Sequence, residues 1–567
     1  MPRNEFATAS QDITNRFQGG YVNKWHTLSA SILLQLSAGL GYCFSLYSSQ
    51  LKHHFGYSQE QIQGIGSAAN LGGYLSIVSG LLYDATAEHH RWGPRATLLA
   101  GAALNTIGYA ALWAAAAGRI SPSYWQVVFI AMVGPFAGTF WDTSALATCT
   151  RNFPAERGTV IGIVKACMGL SGAVYTSLYV GFLQPDTLGL LLFIAVVPTA
   201  VVLIAACFVN HVPFVQAKEA AAPTGRRLQR TVQLLLLLAA YLLVTAVLKS
   251  SLDLSKRMCC VLALGTLLLV SLILLIPWNT GGLWARLAEE EQQEPLLQAW
   301  EGDRAAGPLP ELLLASEDAE KTGEGRGDIK EHQASKGPKA MPIPELSPQR
   351  CLLAVNFWLL FFSFCVGCGS GLVFLNNIAQ LVSSLGGGGS PAVYVSVFSV
   401  SSCVGRLLLG YGPEALQHRR GVPRPLFLVL TSLLSAAVAL ACAFAPLPAL
   451  VPAAVFAGIA FGAHWSLIPA LASELFGLRF FASNYCLLQL APALGGWALA
   501  TELAGLLYDR QAAAQGQRYS CEGSLCFRHA FLICAGLCLL ASVASAMLYL
   551  RSRRLYRHRY CRVSCSS

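Results

Sequence analysis

Long apolar stretches recur along almost the entire chain. Charged residues, or Gly and Pro, separate each stretch from the next. A hydrocarbon core of about 30 Å needs ~20 apolar residues per helix, so each stretch predicts a membrane-spanning helix. Fourteen spans are predicted, at residues 25–47, 62–83, 96–117, 124–148, 158–183, 187–209, 231–248, 258–277, 352–375, 392–411, 425–445, 449–472, 481–507 and 527–550.

The composition agrees with this pattern. Hydrophobic residues make up 54% of the 567 residues, charged residues make up 12%, and the mean hydropathy is +0.51. A soluble domain carries about 25% charged residues, so these proportions exclude a soluble globular protein. The predicted fold class is an all-α membrane protein, because only helices and closed barrels satisfy the backbone within lipid.

The predicted spans fall into a set of six, a pair and a second set of six. The pair is rich in Leu and nearly free of polar residues, which favours added helices that face lipid. The predicted segments are a cytoplasmic N-terminus (1–24), an N-terminal six-helix half (25–209), a cytoplasmic loop (210–230), two additional helices (231–277), a disordered acidic cytoplasmic linker (278–351), a C-terminal six-helix half (352–550) and a basic cytoplasmic tail (551–567).

The distribution of basic residues predicts the orientation of the chain. Cytoplasmic loops retain Lys and Arg, and most of the 39 basic residues fall on one side if both termini are cytoplasmic. An exception is the loop that carries Lys249, Lys256 and Arg257, which this topology places outside. Two interpretations of the additional helices therefore stay open: both span the membrane, or together they form one re-entrant hairpin.

Residues 279–350 hold nearly half of the chain's 29 acidic residues, together with Pro, Gly and Gln. This composition predicts a mostly disordered linker, which serves either as a tether between the halves or as a regulatory segment. Its candidate phosphate acceptors are Ser316, Ser335 and Ser347. The Arg-rich tail from Arg551 is expected to contact anionic lipid headgroups.

The two sets of six resemble each other. Residues 37–51 (SAGLGYCFSLYSSQL) and 367–381 (GCGSGLVFLNNIAQL) both place closely spaced glycines before a polar stripe. RNFPAERG from Arg151 corresponds to SELFGLRF from Ser473. Parallel repeats of this kind are typical of transporters built from two six-helix halves.

The loop after the second span reads GLLYDATAEHHRWGPR and resembles the signature loop of the major facilitator superfamily, apart from an insertion after Asp84. A glycine permits close helix contact, and a carboxylate can pair with a basic residue or a helix N-terminus across the cytoplasmic face. The resemblance implies a gating role for Gly80, Asp84, Gly93 and Arg95. The predicted gating set also includes Arg406, Glu474 and Arg479 at the same face.

Longer strings resemble the nodulin-like branch of that superfamily. They begin at Ala38 (AGLGYCFSLYSSQLKHHFGYSQEQI), Arg151 (RNFPAERGTVIGIVKACMGLSGAVYT), Asn356 (NFWLLFFSFCVGCGSGLVFLNNIAQL), Gly405 (GRLLLGY), Phe461 (FGAHWSLIPALASELFGLRFFASNY) and Ala504 (AGLLYD). The resemblance implies the two-half fold of a solute carrier without naming a solute. Asn376 departs from the family pattern, in which an acidic residue is expected beside Asn377. If that acidic residue carries protons in relatives, proton coupling in this chain is either absent or relocated.

Few ionisable residues interrupt the spans. A charged group at mid-membrane costs at least ~2.5 kcal/mol on insertion scales, so each one is expected to have a partner or a function. Asp142 in the fourth span and Lys165 in the fifth lie on adjacent helices. Two interpretations stay open for this pair: a structural ion pair, or a site for substrate or protons.

Other polar residues within the spans are candidate solute contacts. The first and ninth spans face each other across a central cavity in the fold that the resemblance implies, although hydrogen bonding between helices is an equal alternative. The candidates on these two spans are Tyr42, Ser45, Asn376, Asn377 and Gln380. His464 and Trp465 in the twelfth span are further candidates, with a hydrogen-bonded core histidine as the favoured interpretation of His464.

Most of the 18 cysteines lie inside apolar stretches, where a thiol behaves as a small hydrophobe, and no metal site is predicted. Cys521 and Cys526 share a short polar loop on the predicted outer side, where a disulfide is favoured over two free thiols. The sequence contains no Ser/His or His/Glu constellation with catalytic spacing and no GxxxxGK[ST] loop. Neither enzymatic activity, nor ATP-driven pumping, nor a cofactor is expected.

The predicted function is secondary active transport of a small solute by alternating access. The expected solute is an organic anion such as a monocarboxylate, or an amino acid, with protons as the expected symport partner. The competing prediction is a non-transporting membrane receptor or scaffold that signals through the linker. We expect the protein to be a monomer that contacts the lipid bilayer and binds no nucleic acid. Its expected location is the plasma membrane, or a vacuolar or other internal membrane.

Overall fold

The computed structural model describes residues 23–87, 92–211, 224–252, 254–277, 345–387, 392–517 and 521–560. The predicted N-terminal segment up to residue 22, the linker from 278 to 344 and the tail from 561 lie outside the described residues. All regular structure within the described ranges is helical. Helices suit a lipid environment because each backbone N–H finds its acceptor within the same segment.

The N-terminal half builds six membrane crossings from apolar helices. Polar caps start several of them: the Asn23 side chain accepts the backbone N–H groups of Trp25 and His26, and Ser58 accepts that of Gln61. The helices of this half are α1 (Lys24–Ala38), α2 (Phe44–Phe55), α3 (Gln59–Gly72), α4 (Ile77–Thr86), α5 (Gly93–Ala116), α6 (Tyr124–Asn152), α7 (Arg157–Leu178) and α8 (Thr187–Ala206).

The two additional helices and the C-terminal half follow. The additional helices are α9 (Thr224–Ser251) and α10 (Lys256–Ser271). The helices of the C-terminal half are α11 (Pro348–Leu352), α12 (Val355–Asn376), α13 (Ile378–Ser384), α14 (Ala392–Arg420), α15 (Pro425–Phe444), α16 (Leu450–Leu475), α17 (Phe481–Leu488), α18 (Leu490–Gly495), α19 (Ala504–Ala514) and α20 (Leu525–Tyr560).

Within the described ranges, 13 helical segments are long and apolar enough to cross a membrane. They coincide with the second to fourteenth predicted spans, and the first span is present as α1 and α2 joined through a short turn at Leu40–Cys43. The predicted fold class is therefore confirmed. Both additional helices qualify as spans, through Gly225–Lys249 and Lys256–Leu275. This result favours two spans over a re-entrant hairpin.

Four crossings are interrupted, at Gly39, at residues 73–76, at Asn377 and at Gln489. At Gly39 the packing requires glycine, because a Cβ there would lie 2.7 Å from Cβ of Ser171. Interruptions at membrane depth are tolerated where the freed backbone is buried in protein or lines a cavity. The first, second and last of these four interruptions border the cavity that is described below.

The additional helices are attached to the N-terminal half. The hydroxyls of Ser177 on α7 and Thr266 on α10 lie 3.0 Å apart, and Ser29 donates to the carbonyl oxygen of Ile273 at 2.7 Å. Lys256 donates to the carbonyl oxygen of Gln184 at 2.6 Å. Helix α9 packs against both α7 and α14, so α9 covers one side of the seam between the halves.

The end of the predicted linker is ordered, which corrects the boundary expected at residue 351. The backbone N–H of Leu346 donates to the carbonyl oxygen of Phe476 at 3.0 Å, and Asn484 donates to that of Leu346 at 2.9 Å. A carboxylate oxygen of Glu345 accepts the backbone N–H of Arg479 at 2.8 Å. These hydrogen bonds hold the segment on the C-terminal half, because they satisfy backbone groups that a free chain would leave to water.

Candidate functional site

A carboxylate and an ammonium group lie side by side in the middle of the bundle. Nζ of Lys165 on α7 is 2.7 Å from both Oδ1 and Oδ2 of Asp142 on α6. Both side chains are buried, with residue exposures of 0% for Lys165 and 1% for Asp142. The two residues lie near the middle of their helices, so adjacent packing of α6 and α7 is sufficient to bring them together.

Two glutamines complete this arrangement, which we call the charge cluster (Gln35, Asp142, Lys165, Gln489). Gln35 on α1 donates to Oδ1 of Asp142 at 2.7 Å, and Gln489 donates to Oδ2 at 2.9 Å. A buried ion pair survives only when its remaining lone pairs are satisfied, and here both oxygens have an additional donor. Gln489 comes from the C-terminal half, so the cluster bridges the seam between the halves.

Aromatic rings from the C-terminal half cover the ammonium group. Nζ of Lys165 lies 4.9 Å from the ring centroid of Tyr485 and 5.3 Å from that of Trp465. Cations are attracted to the faces of aromatic rings, and the attraction is larger when water is excluded. The Lys165 charge is therefore stabilised by a carboxylate of its own half and by two rings of the other half.

A second cation lies beside the cluster. Nη1 of Arg406 on α14 donates to the backbone carbonyl oxygen of Lys165 at 2.6 Å, and Cζ lies 5.9 Å from the Trp465 ring centroid. Only 3% of Arg406 is exposed. The prediction that Arg406 lies at the end of its span is wrong. Helix α14 continues to Arg420, so Arg406 lies in the middle of the helix. It is at the same depth in the bundle as Lys165.

A small cavity lies at the seam next to the charge cluster. Its volume is about 50 Å³, enough for a few water molecules. Most of its lining comes from the N-terminal half near the interruptions at Gly39 and residues 73–76, while Trp465 and Gln489 come from the C-terminal half. The Tyr74 and Trp465 rings stack across it with centroids 6.3 Å apart. A drug-sized ligand needs a pocket of at least ~300 Å³, so this is a closed arrangement.

The halves are also joined at the face where α4 and α6 end, which we call the lock face. Oδ2 of Asp84 on α4 accepts the backbone N–H of Ser483 in the first turn of α17, at 2.8 Å. A carboxylate is favoured at this position because the N-terminus of a helix is partially positive. Arg151 lies 3.6 Å from Oδ1 of Asp84 and donates to the carbonyl oxygen of Arg479 at 2.8 Å. We call this set the Asp84 lock.

A second contact at the lock face has the same geometry with the halves exchanged. Oε2 of Glu414 on α14 accepts the backbone N–H of Thr159 at 2.6 Å and its hydroxyl at 2.9 Å, in the first turn of α7. We call it the Glu414 lock. Gly410 precedes Glu414 by one helical turn, as Gly80 precedes Asp84. A Cβ at Gly410 would lie 2.7 Å from Cα of Gly162, so close packing accompanies each lock.

A third polar group at this face lies within the C-terminal half. Nε of Arg424 is 3.2 Å from Oε1 of Glu474, and the hydroxyl of Tyr556 donates to Oε2 of Glu474 at 2.5 Å. The three residues come from the start of α15, the end of α16 and the end of α20. Because they connect three helices, they brace the C-terminal half where the locks form.

Two family models match the chain in succession. The model described as Nodulin-like matches residues 24–278, and the model described as NFD4, C-terminal domain, matches residues 342–558. Together they cover both halves and the additional helices. The chain belongs to the nodulin-like family of the major facilitator superfamily.

Relatives of this nodulin-like protein include Protein NUCLEAR FUSION DEFECTIVE 4 of Arabidopsis thaliana, which is 26% identical over 95% of this chain and 90% of that protein. The probable transporter mch1 of Emericella nidulans is 26% identical over 30% of this chain and 34% of its own length. The solved structure of the proton:xylose symporter XylE aligns over 92% of this chain and 94% of its own, with 14% identity and a TM-score of 0.54. The last likeness concerns the fold. Family and fold together indicate a membrane transporter.

In this nodulin-like protein, the predicted gating residues lie in different surroundings. Gly80 and Asp84 meet α17 of the other half, and a Cβ at Gly80 would lie 2.9 Å from Cα of Ser483. Gly93, with a positive φ of 35°, and Arg95, which donates to the carbonyl oxygen of Ala206 at 3.0 Å, stay within the N-terminal half. The remaining predicted gating residues are Glu474, which is bonded to Arg424 and Tyr556, and Arg479, whose backbone joins the Asp84 lock.

The predicted solute contacts are scattered. Asn376 and Gln380 are exposed, and Asn377 donates to the carbonyl oxygens of Val373 and Ala500, which is a contact between helices. The side chains of Tyr42 and Ser45 lie outside the described residues.

The twelfth span supplies two of the predicted contacts, and their surroundings differ. Nδ1 of His464 lies 2.8 Å from the carbonyl oxygen of Ala460, and its ring packs against Gly367. This is a buried core histidine. Trp465 does line the cavity.

Sequence reasoning missed Gln35 and Gln489 of the charge cluster and Glu414 of the lock face. A buried glutamine inside an apolar span resembles any other small polar interruption, so no signal singles it out. Glu414 did have a signal. The glycine one turn before a carboxylate at the end of the tenth span repeats the spacing of Gly80 and Asp84 in the second span.

Outside the seam, two of the cysteines form a disulfide and one half-buried histidine holds a neutral imidazole. Cys521 and Cys526 form a disulfide. No group of His, Cys, Asp and Glu residues within the described ranges could hold a metal ion. His211, after α8, lies 3.3 Å from the hydroxyl of Tyr83, and burial together with the nearby Arg151 charge lowers the pKa of His211 to about 4. This imidazole is therefore neutral at physiological pH.

Proposed function

We propose that the protein is a secondary active transporter that moves a small solute by alternating access between its two halves. The observation that carries the proposal is the one-sided closure of the seam. Among the described residues, the hydrogen bonds between the halves lie at the lock face, at the charge cluster or between them, around Cys486. Such a seam can open toward the other face while the lock face stays closed.

The charge cluster supplies the coupling element of this proposal. In the arrangement described, Asp142 accepts hydrogen bonds from Lys165 in its own half and from Gln489 in the other half. Protonation of Asp142 would remove its charge and weaken its attraction for Lys165. It would also make Asp142 a poorer acceptor for the hydrogen bond that the Gln489 amide donates. The contact between the halves would then loosen. Proton binding and opening of the seam are linked in this way, as symport requires.

The locks define the second state. Opening the lock face breaks the Asp84 lock and the Glu414 lock, in which backbone N–H groups at helix N-termini are paired with carboxylates. Each such hydrogen bond contributes about 1.5–3 kcal/mol, an amount that solute binding can offset. We place the lock face on the cytoplasmic side, as the basic residues predict, so the described arrangement is closed to the cytoplasm.

The proposed solute is a small organic anion, such as a monocarboxylate, or an amino acid, and the proposed working unit is a monomer. The two cations Lys165 and Arg406 at the seam support an anionic solute, because a single carboxylate, Asp142, faces them among the described residues. The name of the relative from Emericella nidulans, a probable transporter, agrees with the general activity.

Uptake into proteoliposomes tests the proposal. Purified protein is reconstituted and exposed to a mixed metabolite pool with and without an inward proton gradient, and mass spectrometry identifies the solutes retained. The expected result is gradient-driven accumulation of one solute class, absent from protein-free vesicles. A folded preparation that accumulates nothing from a broad pool would contradict transport and would move the receptor or scaffold hypothesis ahead.

A further inference from the structure

The charges at the seam do not balance. Lys165 is neutralised by Asp142 at 2.7 Å, whereas no carboxylate of the described residues lies within 4 Å of the Arg406 guanidinium. Arg406 is only 3% exposed. Buried charges in proteins are normally paired, since an isolated one loses its hydration without compensation. The seam therefore carries one excess positive charge.

Two hydrogen-bond donors, one of the Arg406 guanidinium and one of a neighbouring indole, have no acceptor among the described residues. They are Nε of Arg406 and Nε1 of Trp465, both buried. Cζ of Arg406 lies 5.9 Å from the centroid of the Trp465 ring, so the two side chains are neighbours. Trp465 also lines the cavity at the seam. An unpaired buried donor costs about 1–3 kcal/mol, which favours an acceptor from outside the chain.

We infer that Arg406 and Trp465 bind the carboxylate of a small organic anion. The inference rests on the proposed transport function and names the residues that select its solute. A guanidinium presents its N–H groups in a fixed fork that matches a carboxylate, and one of these groups is already held by the carbonyl oxygen of Lys165. The bound anion neutralises the excess charge, and the indole N–H supplies an additional donor.

The second cation belongs to the C-terminal half and contacts the N-terminal half. The Lys165 carbonyl oxygen belongs to α7 and Arg406 to α14, so their hydrogen bond crosses the seam. A solute bound at Arg406 therefore lies between the halves, where binding can bias their separation. Lys165 cannot fill this role while Asp142 holds its ammonium group.

Thermal unfolding of the purified full-length protein tests the inference without relying on transport. Lactate and succinate are compared with lactamide and succinamide, which have similar shapes and no charge. The acids are expected to raise Tm in a concentration-dependent manner, and the amides are not. Arg406→Gln is expected to abolish the rise, Arg406→Lys to keep a small part of it, and Trp465→Phe to weaken it.

Arg528→Gln is the matched control, because Arg528 lies at the start of α20 and bonds to Ser524 and Ala443, away from the seam. It should keep the full rise. The inference is overturned if Arg406→Gln keeps the rise, if the amides match the acids, or if neither acid raises Tm. Uptake by the wild type separates the two ideas. Carboxylate binding without uptake contradicts the transporter alone, and uptake of neutral solutes alone contradicts the carboxylate site.

Discussion

The two halves of the molecule close against each other symmetrically but carry their charge asymmetrically. At the lock face, Asp84 caps the first turn of α17 and Glu414 caps the first turn of α7, each with a glycine one turn earlier. In the middle of the bundle, Lys165 on α7 has no charged counterpart. Counted from the start of each helix, the equivalent residue after α17 is Gln489, which is neutral.

In the proposed transport cycle, this difference separates closure of the seam from coupling to protons. A symmetric pair of locks suits a seam that must be sealed and released as a whole, since either half can contribute the carboxylate. An ion pair confined to one half behaves differently, because Asp142 and Lys165 can stay together while the halves separate. The contacts that must break there are hydrogen bonds, from Gln489 to Asp142 and from Arg406 to the Lys165 carbonyl oxygen, and not the ion pair. The predictions below test this division.

The largest effect is expected from Lys165→Met. It leaves the Asp142 charge buried with two amide donors, and breaking a buried pair costs about 3–5 kcal/mol, so both stability and uptake should be lost. Gln489→Met keeps the ion pair and should cost only about 1–2 kcal/mol. Thermal unfolding in detergent measures both variants. Equal losses of stability in the two variants would mean that positions 165 and 489 are interchangeable, which would contradict the proposed asymmetry of charge.

The double variant Asp142→Asn with Lys165→Met controls for the buried charge. Removing both partners leaves no unpaired ion, so it should recover most of the stability that Lys165→Met loses. Uptake should stay absent, because the coupling element is gone. Recovery of uptake along with stability would assign the pair a purely structural role.

The next effect concerns the glycines of the locks. Gly80→Val and Gly410→Val place side-chain atoms against the backbone of the facing helix and should prevent closure of the lock face, each to a similar extent. Maleimide labelling of Cys486, which is buried beside Gly80, should rise several-fold when read by peptide mass spectrometry. Gly412→Val, at a position with open space, should leave labelling unchanged. A rise in one of the two lock variants alone would contradict the symmetric closure.

A smaller effect is expected from the lock carboxylates. Glu414→Gln and Asp84→Asn keep an acceptor oxygen but lose its charge, so each should weaken closure by about 1 kcal/mol. Glu414→Gln should have the larger effect because its carboxylate accepts two hydrogen bonds at the start of α7. Labelling of Cys486 again reports closure, and a larger effect of Asp84→Asn would reverse the ranking.

The effect that is smallest at neutral pH, because it develops only on acidification, concerns His211 at the lock face. Burial and Arg151 lower the pKa of His211 to about 4 in the folded protein, from an ordinary value of 6.5. Between these values the unfolded chain binds a proton that the folded protein does not, so stability is full above about pH 6.5 and falls as the pH drops toward 4. Tm of the wild type should therefore fall more steeply over this interval than Tm of His211→Gln. Parallel curves of Tm against pH for the two proteins would contradict a lowered pKa of His211.

Much of the fold could be predicted from the sequence, because length and hydropathy suffice to locate membrane spans. The proximity of Asp142 and Lys165 could also be predicted, since few charged residues interrupt adjacent spans. The two glutamines that bond to Asp142 could not be predicted. Gln489 reaches Asp142 from the other half, and its position depends on an interruption of the thirteenth span that apolarity does not reveal.

The misassignment of Arg406 has a similar cause. The apolar stretch of the tenth span ends near Tyr411, so hydropathy predicts that Arg406 lies at a membrane face, but α14 continues to Arg420. Helix ends follow from hydrogen bonds and packing, and the continued part of this helix carries Glu414, which accepts the backbone N–H of Thr159. A boundary that depends on contact with the other half is set by tertiary structure, which hydropathy does not describe.

The asymmetry is tested most directly by exchanging the two equivalent residues. The double variant Lys165→Gln with Gln489→Lys keeps the net charge and a cation near Asp142, but the ion pair now crosses the seam. Measured together by thermal unfolding and by solute uptake into proteoliposomes, this variant should keep a Tm near that of the wild type and lose at least about tenfold in uptake rate, because each opening must break an ion pair. A variant that folds normally and transports as fast as the wild type would contradict the claim that confinement of the pair to one half is what permits transport.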